Sequence, residues 1–134
     1  MNAREWDEIV GALRNTDDIE GMVAAAQRLH KVATREDLLR LMELLKDEDF
    51  FVREAAAWPI SELEGPSALQ ELLVAYQRGL DEGHDNDGFT AALIDLVETN
   101  RGASREVLQR LAESGGEAMR TNALWLLEFC GTTK

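Results

Sequence analysis

The amino-acid sequence predicts an all-α domain made of antiparallel helix pairs. Apolar residues recur at three- and four-residue intervals along almost the whole chain, which is the period of an amphipathic helix. No segment keeps the two-residue alternation of a strand, and only two prolines occur among the 134 residues. No apolar run approaches the ~20 residues that cross a membrane. We therefore expect one globular domain, 1–134, with a single core.

Eight groups of apolar residues mark eight helices in chain order. They are Trp6, Ile9, Val10 and Leu13; Met22, Ala25, Ala26 and Leu29; Leu38, Leu41, Met42 and Leu45; Val52, Ala55, Ala56, Pro59, Ile60 and Leu63; Leu69, Leu72, Leu73, Tyr76 and Leu80; Ala92, Leu93, Leu96 and Val97; Val107, Leu108 and Leu111; and Met119, Ala123, Leu126 and Leu127. Short connections favour antiparallel packing of successive helices. We expect four helical hairpins, at 3–33, 35–64, 67–100 and 104–131.

The residues between these helices are typical of helix ends. Thr34, followed by Arg-Glu-Asp, suits an N-cap with acidic residues in the first turn. Gly65-Pro66 is expected to end the fourth helix and begin the fifth. The stretches 102–104 and 115–116 are expected to separate the last helices. Pro59 lies inside the fourth helix, where it removes one backbone hydrogen bond and predicts a kink.

The even-numbered helices look like copies of one another. Residues 52–60 read Val-Arg-Glu-Ala-Ala-Ala-Trp-Pro-Ile, and residues 119–127 read Met-Arg-Thr-Asn-Ala-Leu-Trp-Leu-Leu. The residues that match between them are Arg53 and Arg120, Ala56 and Ala123, and Trp58 and Trp125. A repeat of roughly 30–36 residues, each one helical hairpin, is typical of an α-solenoid.

Residues 41–57 carry a more specific resemblance. They read Leu-Met-Glu-Leu-Leu-Lys-Asp-Glu-Asp-Phe-Phe-Val-Arg-Glu-Ala-Ala-Ala, an apolar helix followed by an Asp-containing turn and a Val-Arg-x-x-Ala helix. This pattern resembles the HEAT repeat. The resemblance implies a right-handed α-solenoid of about four hairpins, in which Asp47 or Asp49 pairs with Arg53 to fix the second hairpin. In the third hairpin, Phe89 stands where the pattern has the arginine.

The charge of the chain bears on its partners. The net charge is −12, and it is spread evenly: residues 1–66 carry 8 basic and 15 acidic side chains, and residues 67–134 carry 6 and 11. Such a surface repels phosphate backbones and anionic lipids, so it disfavours nucleic acid or a membrane as a partner. It attracts a basic protein. The alternative is that the acidity serves only to keep the protein soluble.

The sequence contains no recognisable catalytic motif. There is no Gly-rich phosphate loop, no H-E-x-x-H and no CxxC, and neither His30 nor His84 has a partner at motif spacing. Cys130 is alone and lies on the apolar stripe of its helix, which favours a packed thiol over a nucleophile. We expect no enzyme activity and no cofactor or metal. The N-terminus lacks the pattern of a signal peptide, so we expect a cytoplasmic protein.

The most unusual local sequence is the turn 81–88, Asp-Glu-Gly-His-Asp-Asn-Asp-Gly. Three interpretations are open: a loop that holds a hard cation, a structural turn in which Asp87 caps the sixth helix, or a contact for a partner. The calcium-loop spacing is not met, because residue 83 is glycine where that pattern needs an oxygen ligand. The candidate partner residues in this turn are Asp81, Glu82, His84, Asp85 and Asp87.

Trp58 and Trp125 lie off the apolar stripes of their helices. A large residue in that place either packs against the neighbouring hairpin or forms the apolar centre of a binding patch. Carboxylates on the same helices would form the charged rim of such a patch. The candidate rim residues are Glu54, Glu62, Glu64, Asp95 and Glu98.

These observations favour a protein–protein interaction module over an enzyme. The sharpest hypothesis is an acidic inhibitor that resembles the immunity proteins which neutralise bacterial toxins, with a basic protein as its partner. The alternatives are an adaptor or assembly factor for a larger complex, or a subunit similar to the HEAT-like phycobilin lyases. The sequence leaves the oligomeric state open.

Overall fold

The computed structural model describes residues 1–131, and these residues are helical with no strand among them, which confirms the all-α prediction. Eight α-helices follow one another: α1 Ala3–Leu13, α2 Ile19–Val32, α3 Leu38–Leu44, α4 Phe50–Leu63, α5 Leu69–Asp81, α6 Asp87–Thr99, α7 Arg101–Ser114 and α8 Glu117–Leu127. Short 3-10 turns, Arg35–Asp37, Gly65–Ala68 and Glu128–Cys130, precede α3 and α5 and follow α8.

Side-chain caps explain where several helices begin. The carboxylates of Asp18 and Asp49 accept the main-chain N–H groups of Gly21 (3.0 Å) and Phe51 (2.8 Å), which start α2 and α4. At the predicted Thr34 start, the Thr34 N–H donates to the Asp37 carboxylate at 2.8 Å. These short polar side chains satisfy amides that have no partner inside the helix.

Two predicted helix breaks have different outcomes. Gly65 has a φ of +72°, a left-handed conformation that glycine adopts without strain, and it ends α4 as predicted. The predicted break at 102–104 is wrong, because α7 begins at Arg101 and only Asn100 separates it from α6. Ser104 is fully buried within α7. A small residue there allows close packing of the helix start rather than ending a helix.

Pro59 lies inside α4, which continues to Leu63. It is buried, and its ring leaves the helix without one main-chain donor. Two residues further along, the Ser61 hydroxyl donates to the carbonyl oxygen of Ala57 at 2.8 Å. The proline therefore interrupts one hydrogen bond of α4 without ending the helix.

The helices pack in sequential pairs and in layers. Extensive contacts join α1 to α2, α3 to α4 and α7 to α8, and the even-numbered helices α2, α4 and α6 lie side by side. The last pair departs from this order, because α8 makes more extensive contacts with α5 than with α6. The core between these helices is apolar and contains, among others, Leu13, Leu29, Leu41, Val52, Ile60, Leu72, Phe89, Leu93 and Leu126.

Arg53 is the one arginine that is fully buried in the described part of the chain. Its Nη1 donates to the carbonyl oxygens of Asp47 (2.8 Å) and Glu48 (3.1 Å), and its Nη2 donates to the Glu82 carboxylate. Arg53 therefore connects the α3–α4 turn both to α4 and to the residue that follows α5.

The implied pairing of Arg53 with a turn carboxylate is corrected by these contacts. The Asp47 carboxylate accepts instead from Arg14, with Nη1 and Oδ1 3.0 Å apart, and the Asp49 carboxylate caps α4. Both carboxylates are used by other donors, and the main-chain carbonyls remain for Arg53. The matching Arg120 of α8 is exposed.

We predict that Arg53→Ala lowers the free energy of unfolding by about 1–3 kcal/mol, because it leaves two turn carbonyls without their donor and removes one of the two arginines that pair with the Glu82 carboxylate. Arg4→Ala is the control, since the Arg4 side chain is 91% exposed and its removal should change stability by less than about 0.5 kcal/mol. Urea denaturation followed by circular dichroism measures both. Equal, small losses would contradict the role assigned to Arg53.

Candidate protein-binding face

One side of the α2–α4–α6 layer carries most of the predicted partner residues. Along α4, Glu54, Trp58 and Glu62 recur every four residues and so share one side of the helix. On α6, Asp95 and Glu98 are exposed. We call these five residues the acidic face.

The acidic face has no exposed basic residue on its two central helices. Arg53 is the single basic residue of α4, and it is buried. No lysine, arginine or histidine occurs in α6. Within residues 1–131, the one basic group that contacts a carboxylate of the face is His30 of α2, whose Nε2 meets a Glu62 carboxylate oxygen. The face is therefore a region of negative potential.

A depression of about 200 Å³ lies around Trp58. Its lining comes from three helices: Ala26, Gln27 and His30 of α2, Phe51, Glu54, Ala55 and Trp58 of α4, and Gly88 of α6. Trp58 is half-buried, and the His30 ring is tilted by 31° to it with centroids 5.7 Å apart. We call this cavity the Trp58 depression. Small residues on all three helices keep it open.

Glu54 has a structural role in this depression that the sequence does not reveal. Its Oε2 accepts the Gly88 N–H at 3.2 Å, so α4 supplies a cap for the N-terminus of α6. Burial raises the pKa of the Glu54 carboxyl; the Gly88 and Phe89 amides oppose this shift, and the nearby Asp85 and Asp87 charges add to it. The Glu54 charge is thus held where it is poorly solvated.

The prediction that Asp87 caps α6 is wrong. Asp87 is the first residue of α6, and its own N–H donates to the Asp85 carboxylate at 3.1 Å. The preceding residue, Asn86, is buried and donates its side-chain amide to the Tyr76 carbonyl oxygen at 2.7 Å. The cap comes instead from Glu54, because packing of α4 against α6 brings that carboxylate to the free amides.

The acidic face continues from the Trp58 depression towards the C-terminal ends of α4 and α6. Glu62 and Asp95 line one further depression, of about 420 Å³, together with Glu64. Glu98 lies one turn beyond Asp95. The structure therefore brings Glu62, Glu64 and Asp95 of the predicted rim around one depression and places Glu54 in the Trp58 depression, whereas Glu98 lines neither of them.

Two of the predicted partner residues in the turn 81–88, Glu82 and His84, make contacts within the protein. The hydrogen bond from Arg53 lowers the pKa of the Glu82 carboxyl. Desolvation opposes this shift, and Arg78, with its Nε 3.0 Å from Oε2, adds to it. The His84 ring stacks on Phe50 with centroids 4.3 Å apart. These two predicted partner residues are thus occupied by contacts within the protein.

The remaining predicted residues of this turn, Asp81, Asp85 and Asp87, are exposed. A hydrogen bond that the protonated Asp87 carboxyl can donate to Asp85, together with the repulsion between the two charges, raises the pKa of Asp87. Asp85 and Asp87 do not line the Trp58 depression, but their charges help to raise the pKa of Glu54 within it. Their charges extend the acidic face at one end.

Trp125 does not join Trp58 on the acidic face. Its ring stacks on Tyr76 of α5 with centroids 5.4 Å apart, and it meets Phe129 edge-on at 6.0 Å. Close by, the Asn122 side chain donates to Gln77 of α5 at 2.9 Å. Trp125 therefore follows the first of the two interpretations, packing against the neighbouring helix pair, because α8 lies mainly against α5.

Other kinds of site find no support in the residues that the structure describes. They include no group of three or more His, Cys, Asp or Glu side chains positioned to hold a metal ion. Cys130 is buried, and burial raises the pKa of its thiol, which disfavours the nucleophilic thiolate. Within residues 1–131, each helix is too short or too polar to cross a bilayer.

Comparison with known proteins identifies no relative of this chain: no family model, no curated protein and no solved structure matches it.

We predict that the Glu54→Gln variant gains folding stability relative to the wild-type protein as the pH rises. The raised pKa means that the folded protein binds the Glu54 proton more tightly than the unfolded chain. The protonated Glu54 carboxyl therefore stabilises the folded protein fully below pH 4.5, its ordinary pKa. This stabilisation is lost as the pH rises through the higher pKa of the folded state. Glutamine can still accept the Gly88 N–H but does not titrate.

Denaturation at about pH 4 and about pH 7 measures this effect, and the stability of Glu54→Gln relative to wild type should increase between them. Glu98→Gln, an exposed change on α6, is the matched control and should stay within about 0.5 kcal/mol of wild type. A Glu54→Gln difference that is constant or falls with pH would show that the carboxylate is well solvated.

We predict that the two tryptophans differ in their contribution to stability. Trp125→Ala removes the stacking on Tyr76 that joins α8 to α5 and should cost about 2 kcal/mol or more. Trp58→Ala, on the open depression, should cost clearly less. Trp125→Phe, which keeps an aromatic ring, should recover most of the loss. Thermal denaturation measures all three, and equal costs for the two alanine variants would contradict this assignment.

Proposed function

We propose that this chain is a cytoplasmic, non-enzymatic binding module, a right-handed α-solenoid of four helix pairs whose acidic face binds a basic protein. The observation that carries the proposal is the absence of exposed basic residues from α4 and α6, around a half-buried tryptophan. An apolar or aromatic centre with a charged rim is the arrangement of a protein-binding hot spot. Nucleic acid and anionic lipid do not fit this face, because both would be repelled.

The state of the carboxylates supports a basic partner. Glu54, Asp95 and Glu98 form no ion pair with the residues that the structure describes. The Glu54 carboxylate is partly desolvated, so a nearby cation would favour its charged form. A basic partner would therefore stabilise the Glu54 charge, which the isolated protein solvates poorly. Long-range attraction between the two charged surfaces would also speed association.

Among basic proteins, an enzyme that acts on nucleic acid is the best match. Such an enzyme displays a basic surface to hold phosphates, and an acidic face could cover that surface in their place. We therefore propose an inhibitor of the immunity type, which blocks a basic toxin by occupying its substrate surface. In this proposal the inhibitor needs no catalytic residue of its own.

The proposal predicts that reversing charges on the acidic face abolishes capture of the partner from cells that make this protein. Asp95→Lys with Glu98→Lys is the test variant. Glu106→Lys with Glu113→Lys, two exposed positions on α7, is the matched control with the same change of charge. Wild type and control should capture the same basic protein, and the test variant should not.

Capture should also weaken steeply as salt increases, because screening acts on exposed charges. Inhibition of the captured protein's activity separates an inhibitor from an adaptor, which would leave that activity intact. If the test variant captures the partner as well as wild type does, the acidic face is not the binding site.

A further inference from the structure

The Trp58 depression is a small site within the acidic face. Its volume of about 200 Å³ is below the ≈ 300–1,000 Å³ typical of small-molecule pockets. It is therefore the size for one side chain of a partner rather than for a cofactor. Its walls combine an accessible indole with the Glu54 carboxylate, and Glu62 stands at its edge through the contact with His30. An aromatic face next to carboxylates attracts a cation.

We propose that the Trp58 depression binds one arginine side chain of the basic partner. This inference rests on the proposed function and names the residue that the face recognises. The aliphatic stem of the arginine would lie on Ala26 and Ala55, and its guanidinium would meet the Trp58 ring and the Glu54 carboxylate. Arginine is favoured over lysine because its planar group stacks on an indole and forms paired hydrogen bonds with a carboxylate.

The same protein contains this arrangement in completed form elsewhere. At the N-terminal end, the Arg40 guanidinium lies 4.6 Å from the Trp6 ring centroid, and its Nη2 donates to the Asp37 carboxylate at 2.6 Å. The Trp58 depression has the ring and the carboxylate but no arginine. The internal Trp6–Arg40–Asp37 cluster therefore shows which side chain such a pair of groups accommodates.

Gly88 controls the position of the carboxylate. A Cβ at this residue would lie 2.6 Å from Glu54 Cδ and 2.8 Å from its Cγ. Gly88→Ala would therefore push the flexible end of Glu54 aside while leaving the backbone unstrained. Gly102→Ala is the matched control, because a Cβ there meets no atom within 4 Å. Ala55→Leu is a second probe, since it would fill the depression itself.

The test is titration of the full chain with a short neutral peptide that carries one arginine, followed by NMR of the Trp58 indole and the Gly88 amide. Otherwise identical peptides with lysine or with uncharged citrulline are the comparison. We expect weak, saturable shifts at Trp58 and Gly88, with the arginine peptide binding about 2–5-fold more tightly than the lysine peptide and no saturable shift with citrulline.

Gly88→Ala and Ala55→Leu should each weaken binding of the arginine peptide by about 2–5-fold or more. Gly102→Ala should leave this binding unchanged. Shifts spread over the whole acidic surface, or equal binding of arginine and lysine, would overturn the proposal. So would unchanged binding by the two depression variants when circular dichroism shows both to be folded.

Capture of the partner then separates this inference from the proposed function. If Ala55→Leu retains full capture while Asp95→Lys with Glu98→Lys loses it, the face binds a basic protein but the arginine site is wrong. If both variants retain full capture, the proposed function fails as well. Loss of capture by both supports the arginine site.

Discussion

A buried guanidinium needs hydrogen-bond partners, and Arg53, in the middle of the molecule, finds them for Nη1 and Nη2 but not for Nε. Its contacts join the α3–α4 turn to α4 and to Glu82 beyond α5. Arg78 strengthens the same junction through Glu82 and the carbonyl oxygen of Asp47. A charge removed from water is tolerated only where such partners stay in place. The second and third helix pairs are consequently held in one relative position.

That position determines the binding face. With α4 fixed beside α6, Glu54, the residue after Arg53, reaches the free amides at the start of α6. The same packing opens the Trp58 depression between the small residues of α2, α4 and α6. A structural contact and a candidate binding group are therefore neighbours on α4, one facing the core and the other facing solvent. The cost is a carboxylate whose charge is poorly solvated.

Some predictions about the site depend on residues close together in the sequence, and others depend on contacts between distant residues. Glu54, Trp58 and Glu62 share a side of α4 because of helical periodicity alone, which the sequence displays. Glu82 and His84 were predicted as partner contacts, but Arg53 and Phe50 occupy them from 29 and 34 residues away. No spacing rule reports such distant contacts. Trp125 was grouped with Trp58 by a repeat that the last helix pair does not follow in space.

By itself, the sequence determined the all-α class, the approximate helix ends and the acidic surface, because these depend on periodicity within a few residues, on capping side chains and on composition. Only the tertiary structure decided that Arg53 binds carbonyls rather than Asp47 or Asp49, that Glu54 caps α6, and that α8 lies against α5. Each of these depends on which of several chemically suitable partners is nearest after the helices pack. Packing geometry is a property of the whole core, and no local segment encodes it.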